Sequence, residues 1–530
     1  MKVSAYTESE LVIGVVCAAG TDLSLIIRTI RDRLDFFHNK TDVIDVADDI
    51  LKKFEKYFVE HDDHYINKKG RVYPKYTSFQ YDESDRKRGK YEEVHKMMDI
   101  GNALRDIDIN FIAREIVNII QSKRNRTQDG DPTPEPKRAI IIKSLKNKAE
   151  LSLLRDTYRN GFYLLGVYSD SHARENYLVS KNMDKKSALD LIERDEKERP
   201  GYGQQTRDIF QLSDFFVNSD ENKSVMANLT RIIDLIFGNP FITPTFGEYA
   251  MFLAFCTSLR SADLSRQIGA VICKNRDILA MGANDCPQFE GGQYWMDYDE
   301  TTGKYVDAEK GRDYMRGEDS NRIEFLKISG QIYNGLLEEL GTELTGIMEQ
   351  KGKTEQDIQR LFKSTGLGDI IEFGRVVHAE MEALSMCARN GISTKDTKLY
   401  CTTFPCHVCT KHLITAGIVE VVYIEPYPKS KAYELFDDSV SDNVKEKNKK
   451  LLFVPFFGVG PRKYIEMFSM NHSWLSDKVR KDPQTGKIKV WKERTAVVRD
   501  QMPPDSYLDR EIRHSITQQQ LSDSIYNITD

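Results

Sequence analysis

Three short runs in the first third of the chain are apolar almost from end to end. They are "LVIGVV" (11–16), the core of "RAIIIKSL" (138–145) and the core of "GFYLLGVY" (161–168). A strand with one wet face alternates apolar and polar residues, so a run without a polar face has to be covered on both sides. Helical patterns separate the runs: about Leu23 to Leu34 after the first, and "KAELSLLRDTY" between the second and third. Strands alternating with helices predict an α/β domain with a parallel sheet between helical layers, over roughly 1–240.

The chain has 530 residues, enough for about two to four domains. Charged residues make up 30% and hydrophobic ones 40%, and the formal net charge is −6. That balance argues against a protein whose main work is gripping nucleic acid over a wide surface. No apolar run reaches membrane-spanning length, so no membrane partner is expected. The apolar start of "MKVSAYTESELVIGVVCAAG" lacks a basic leader and reads as a buried strand, not a signal peptide. Eight cysteines in a chain this long suggest no disulfide framework, and a reducing cytoplasm is the expected compartment.

Within the first domain, "SKRNRTQDGDPTPEPKR" (122–138) reads as a surface loop. The basic, tyrosine-bearing segment 67–96 reads as a solvated surface with partly buried rings in preference to a nucleic-acid contact. A second α/β unit begins with a long amphipathic helix over Thr243–Gln267. "GAVICK" and "ILAMGAND" follow as a strand pair, then a polar, aromatic-rich insertion at about 287–372. The regular pattern resumes with "VVHAEMEALSMCARNG" as strand end and helix, "KLYCTTF" as strand, "PCHVCTKHLITAG" as helix and "VEVVYIEP" as strand. The expected domains are 1–240, 241–477 and a polar, partly helical tail, 478–530.

"PCHVC" places Cys406 and Cys409 at CxxC spacing, and "HAE" places His378 and Glu380 ahead of them, 28 residues separating His378 from Cys406. Zn²⁺ favours neutral imidazole and thiolate in tetrahedral geometry, and a catalytic site keeps its fourth position open. Cysteines at i and i+3 share one face of a helical turn, and a helix N-terminus favours thiolate. Pro405 suits position N1 of that helix, where its missing N–H costs nothing. His378 opens another helix, so two helix N-termini are predicted to converge on one ion. Glu380, two residues on, is the candidate proton carrier. Cys401 reads as a packed core thiol, and His407 and His412 as surface or supporting residues. A structural zinc half-site or a redox pair are the plainer readings of a lone CxxC. The combined H-x-E…P-C-x-x-C pattern, the one found in zinc nucleobase deaminases, favours a catalytic metal.

"SLRSADLSRQIGAVICKNRDILAMGANDCP" (258–287), followed by HAE and PCxxC, resembles the deoxycytidylate deaminase group. The resemblance implies that Asn284 contacts the deoxyribose and that Gly269, Ala270 and Ala379 border the substrate. A local turn, with the Asn284 side chain on its own backbone, is the alternative. Arg266, Lys429 and Lys431 are candidates for the phosphates. Most of the chain also resembles bacterial anti-phage dCTP deaminases, in which a P-loop kinase-like parallel-sheet domain precedes a cytidine-deaminase-like α/β/α domain. The stretches that carry it include "VIGVVCAAGTD", "SADLSRQIGAVI", "YMRGEDSNRIEF" and "FFGVGPRKYIEMF". That resemblance implies deamination of dCTP and dCMP, depletion of dCTP during phage infection, a homo-oligomer and an inhibitory small RNA.

"GVVCAAGTD" (14–22) sits where a phosphate-binding loop belongs, between strand and helix. Gly14, Gly20, Thr21 and Asp22 are its candidate nucleotide-binding residues. The G-x-x-x-x-G-K-[ST] pattern fails, however: with Gly20 as its second glycine, the first position is Val15 and the lysine position is Thr21. A regulatory nucleotide is therefore favoured over phosphotransfer or hydrolysis and over a purely structural loop. Two other readings of the whole stand beside the free-nucleotide deaminase. One is a tRNA-type, RNA-acting deaminase; the other is a nucleotide sensor whose deaminase is inactive.

Overall fold

The computed structural model describes residues 9–61, 63–67, 70–75, 90–197, 205–220, 222–363, 365, 367, 373–427, 430–470, 479–500 and 502–526. The chain divides into two compact units, Met1–Glu248 with Phe457–Asp530, and Tyr249–Phe456.

The first unit is built on five parallel strands: β1 (Leu11–Cys17), β2 (Lys40–Asp45), β3 (Arg138–Lys143), β4 (Phe162–Tyr168) and β5 (Phe215–Asn218), in the order β2-β3-β1-β4-β5. The short strand Gly458–Val459 adds antiparallel to β5. Side chains of β1 leave alternately for the two faces. Val12 and Val16 join one core with Ile116, Ile120 and Leu154. Leu11, Ile13, Val15 and Cys17 join the other with Ile26, Ile30 and Ile233. Both faces are covered, so β1 needs no polar residue. Gly14 lies mid-strand, where an added Cβ would stand 2.7 Å from Leu145 Cδ1 and 2.8 Å from Phe162 Cζ. It is a packing glycine and not part of a phosphate loop, contrary to the expectation above. The helix Lys148–Tyr158 starts at a capping box, with Asn147 as cap and Glu150 reaching back to it.

The C-terminal segment belongs to this first unit. The expected boundary at 477 is therefore displaced to Phe456, and "FFGVGPRKYIEMF" falls almost wholly outside the second unit. Three features hold the C-terminal segment there: the strand Gly458–Val459 on β5, Met502, Tyr507 and Leu508 in the core behind β1, and a buried charge cluster. Arg124, expected in a surface loop, is fully buried; its Nε donates to Glu511 Oε2 (2.6 Å) and its Nη1 to Glu10 Oε1 (2.7 Å). This cation ties the residue before β1 to the helix Pro504–Tyr526. Of the tyrosines in segment 67–96, Tyr73 and Tyr91 are buried; residues 76–89 lie outside the described ones.

The second unit holds a mixed sheet of β6 (Gly269–Lys274), β7 (Asp277–Ala283), β8 (Thr397–Thr403), β9 (Ile418–Glu425), β10 (Val440–Ser441) and β11 (Leu451–Pro455). Its order is β7-β6-β8-β9-β11-β10. β6 runs antiparallel to both neighbours, and β8 onward are parallel. The helix expected over Thr243–Gln267 spans only Phe246–Ser258. The chain leaves it through tighter bonds, Leu259 N–H to Cys256 O and Ser261 N–H to Ser258 O, and further on Asp263 Oδ1 accepts from the N–H of Ser265 and of Arg266, so 263–266 is a local turn and not helix. The insertion folds as a hairpin (Asp297–Asp299 with Lys304–Val306) and the helices Ser320–Gln350 and Glu355–Lys363. Among the described residues no helix is long and apolar enough to cross a membrane.

Removing Arg124 while keeping its bulk leaves two carboxylates buried without a counter-charge. Arg124→Met is expected to destabilise the first unit by about 3–5 kcal/mol, read from faster native-state hydrogen exchange of the β1 amides; exchange within a factor of a few of wild type would contradict this.

Candidate metal centre

Two helix starts bring the donors together. His378 caps the helix Ala379–Arg389, and Cys406 caps the helix His407–Thr415. Pro405 therefore precedes the cap and does not occupy N1 as expected. Cys409, one turn on, donates its N–H to Cys406 Sγ at 3.4 Å. His378 Nδ1 stands 3.4 Å from Cys406 Sγ and 3.3 Å from Cys409 Sγ, and all three donor atoms lie within 4.8 Å of one another.

This spacing fits a zinc ion. Nitrogen at about 2.0 Å and sulfur at about 2.3 Å from one tetrahedral centre stand about 3.5 Å apart. Cys401 and His412 are not in the cluster, the only such group among the described residues. Cys401 is fully buried, which pushes its thiol well above the ordinary range, and His412 is exposed. Three protein donors leave one tetrahedral position open.

The electrostatics suit thiolate at this spot. Hydrogen bonding from Cys409, then the imidazole of His378, holds the Cys406 thiol down at about 4. The same bond to Cys406 pushes Cys409 up, and Cys406 raises His378 to about 9. Glu380 is 4% exposed; burial pushes its carboxyl up, and it faces the Cys409 thiol.

Other expected site residues are placed differently. Asn284 is buried, with Oδ1 accepting from Ile268 N–H (2.7 Å) and Nδ2 donating to Arg266 O (2.8 Å). Its amide pins the 266–268 loop, 16 to 18 residues away in sequence, and not its own backbone as the alternative reading had it. Gly269 was expected to open space for a base. Its missing Cβ instead admits the helix Phe246–Ser258, since a Cβ there would fall 1.9 Å from Ala254 O. Ala270 and Ala379 are fully buried in the unit's hydrophobic core, so their side chains offer a ligand nothing. Arg266 is half exposed, pairs with Glu425 at 3.3 Å and lies over the Tyr427 ring. Lys431 is exposed, and Lys429 lies outside the described residues.

Sequence reading missed Gly282. A Cβ on it would lie 2.2 Å from Ala379 O and 2.5 Å from Ala383 N, so only glycine lets β7 touch the helix that carries Glu380. It also missed Thr402, whose Oγ1 accepts from Gly269 N–H at 3.1 Å, and Arg312, which pairs with Asp285 at 3.1 Å and Asp307 at 2.6 Å. Gly282 stands in "AMGAND", but nothing local distinguishes a glycine of close approach from one of a turn.

In the first unit, Gly20 has φ +84° and lines a cavity beside Thr21, whose Oγ1 donates to Ala18 O at 2.8 Å. Asp22 is exposed, accepts from Ser24 N–H at 2.9 Å and is not among the lining residues. Gly20, Thr21 and Asp22 thus share one loop, while only the first two face the cavity.

Gly282→Ala is expected to push the helix of Glu380 off β7, lowering bound zinc below one per chain and turnover by about 10²-fold. Elemental analysis beside an ammonia-release assay checks it; full zinc and wild-type turnover would show that β7 yields without cost.

Residues 245–425 match the family model described as the cytidine and deoxycytidylate deaminase zinc-binding region. ComE operon protein 2 of Bacillus subtilis (strain 168) is 41% identical over 66 residues, 12% of this chain and 35% of that protein. Deoxycytidylate deaminase of Enterobacteria phage T4 is 28% identical over 179 residues, 34% of this chain and 77% of that protein. The chain thus spans about a third of the first relative's length and about three quarters of the second's. A solved dCMP deaminase from the cyanophage S-TIM5 aligns with 41% of this chain and all of its own, at 18% identity and a TM-score of 0.21, too low to bear on the fold. Residues 245–425 are thus similar to a zinc-binding deaminase region, and zinc is the ion that His378, Cys406 and Cys409 suit.

Proposed function

We propose that this chain hydrolyses the exocyclic amine of free deoxycytidine nucleotides, dCTP and also dCMP, giving the deoxyuridine nucleotide and ammonia. The observation that carries the reading is Glu380, buried beside a three-donor zinc set that leaves one position open. A zinc ion, when bound, lowers the pKa of a coordinated water to about 7. Glu380 takes the proton of the attacking water, passes it to the ring nitrogen and returns a proton to the departing amine. The C4–O bond forms as the C4–N bond breaks, with no net change in oxidation state. Burial favours this shuttling, because a carboxyl raised from its ordinary value holds and releases protons closer to neutrality. The 261–268 loop, fixed by Asn284 and Thr402, carries Arg266, a candidate for the phosphates.

The first unit binds a regulatory nucleotide at its strand-end cavity, in this reading. The order of the two segments, and their resemblance to anti-phage dCTP deaminases, support dCTP depletion as the cellular role, with a homo-oligomer and an inhibitory small RNA as partners.

Incubating the zinc-loaded chain with all four dNTPs and resolving the pool by chromatography tests the activity. Only dCTP is expected to disappear, with dUTP and ammonia appearing together, and a chelator is expected to stop it. Absence of deoxyuridine nucleotide from both dCTP and dCMP would refute the reading. Glu380→Gln is expected to keep its zinc and lose about 10²–10⁴ in rate, measured as single-turnover ammonia release beside metal content; near-normal turnover would remove Glu380 from the mechanism.

A further inference from the structure

The first unit holds a cavity of about 940 Å³ at the C-terminal ends of its central strands. Its floor is the loop Cys17–Thr21 after β1 and the stretch Lys143–Lys146 after β3. The strand order reverses direction at β1, with β3 on one side and β4 on the other, and such crevices are where open α/β sheets take ligands. Apolar residues of the helices Lys90–Ile107 and Lys185–Lys197 (Val94, Met97, Leu191) close one wall. Arg28, Arg31, Lys143, Lys146 and Lys181 line it, against the acids Asp32, Asp35 and Asp195. Arg28 and Arg31 are exposed and have no ion-pair partner among the described residues. The cavity is built to receive negative charge.

One negative group already sits at its base. Asp195, 3% exposed, accepts the Ala19 N–H on Oδ2 at 2.7 Å. Its Oδ1 takes Lys146 Nζ at 3.0 Å and the Thr206 hydroxyl at 3.3 Å. Lys146 also donates to Cys17 O at 2.9 Å, so its ammonium stands against the loop itself. The loop has threonine where a lysine would be expected, and Lys146 brings a cation to the same place from the neighbouring strand's loop. A main-chain N–H and a lysine at a strand end are donors that bind phosphate; here a carboxylate of the chain holds both.

We propose that Asp195 is an internal competitor for a phosphate group. A phosphate-bearing ligand entering the cavity displaces the Asp195 carboxylate and takes over Ala19 N–H and Lys146. This rests on the nucleotide reading of the first unit given above. The same donors cannot serve both anions, so the apparent affinity of the ligand is its intrinsic affinity multiplied by the fraction of molecules in which Asp195 is released. Opening of the latch and filling of the cavity are one equilibrium. Arg28 and Arg31, along the helix Ser24–Phe36, give the rest of a polyanionic ligand its counter-charge.

Titration calorimetry of the full zinc-loaded chain tests this with two probes that contain no cytosine: ATP and inorganic triphosphate. Asp195→Asn keeps the shape but weakens the hold on Ala19 N–H, and is expected to tighten binding by about 10–100-fold. Lys146→Gln is expected to weaken binding and to cancel that gain when combined with Asp195→Asn. Thr206→Val, which removes one support of the carboxylate, gives a smaller gain of the same sign and serves if the first variant folds poorly. ATP binding tighter than triphosphate supports a nucleotide as occupant, and equal binding supports a polyphosphate alone; both uphold the displacement. Unchanged affinity in Asp195→Asn and Thr206→Val, or a gain that survives loss of Lys146, overturns the latch. No binding of either probe to any variant, with deamination intact, overturns the nucleotide reading and the latch with it.

Discussion

Three soft and nitrogenous donors held within bonding distance of one point form the constraint on which the second unit's chemistry depends. His378 Nδ1 lies 3.4 Å and 3.3 Å from the two sulfurs, the separation that nitrogen and sulfur have around one tetrahedral zinc. Each donor is delivered by a helix start, where unpaired N–H groups and the end of the helix dipole favour negative charge. The site is prepared for thiolate before any metal arrives. Hydrogen bonding from Cys409 and the His378 imidazole hold the Cys406 thiol far below its ordinary value, while Cys409, bonded to it, goes the other way.

The sheet seats two of its helices, one of them the His378 helix, through glycines. Gly282 lets the helix of Glu380 lie against β7, and Gly269 does the same for the helix Phe246–Ser258 against β6. In each case the obstructing atom is main chain and not a flexible side chain, so the approach cannot be relieved by a rotamer change. Around this frame, side-chain bonds to backbone fix the irregular loops. Asn284 and Thr402 hold residues 266–269, and Arg312 fastens the insertion to Asp285. Binding energy spent on shaping loops in advance is energy that a substrate does not have to supply.

How much could be read beforehand follows from how local each signal is. β1, β3 and β4 were legible because an apolar run with no polar face permits one kind of place in a fold. The zinc donors were legible because ligand chemistry restricts residue type and spacing together. Contacts made across the fold were not. Gly14 and Gly269 looked like loop glycines and proved to be glycines of close packing, which depends on Leu145, Phe162 and Ala254, residues far from them in sequence. The helix after Thr243 was drawn too long: it ends at Ser258, and residues 263–266 are a turn held by the Asp263 carboxylate. The C-terminal helix is tied to the first unit by Tyr507 and Leu508 in its core and by Arg124, a residue that reads as surface charge until both of its carboxylates are seen.

X-ray absorption at the zinc edge of the metal-loaded full chain tests the central claim most directly. The account predicts two sulfur scatterers at about 2.3 Å and two lighter ones at about 2.0 Å, with one of the light scatterers exchanging for added anionic ligands. A shell with three or four sulfurs, or four protein donors that resist exchange, would mean a closed structural site and would contradict it.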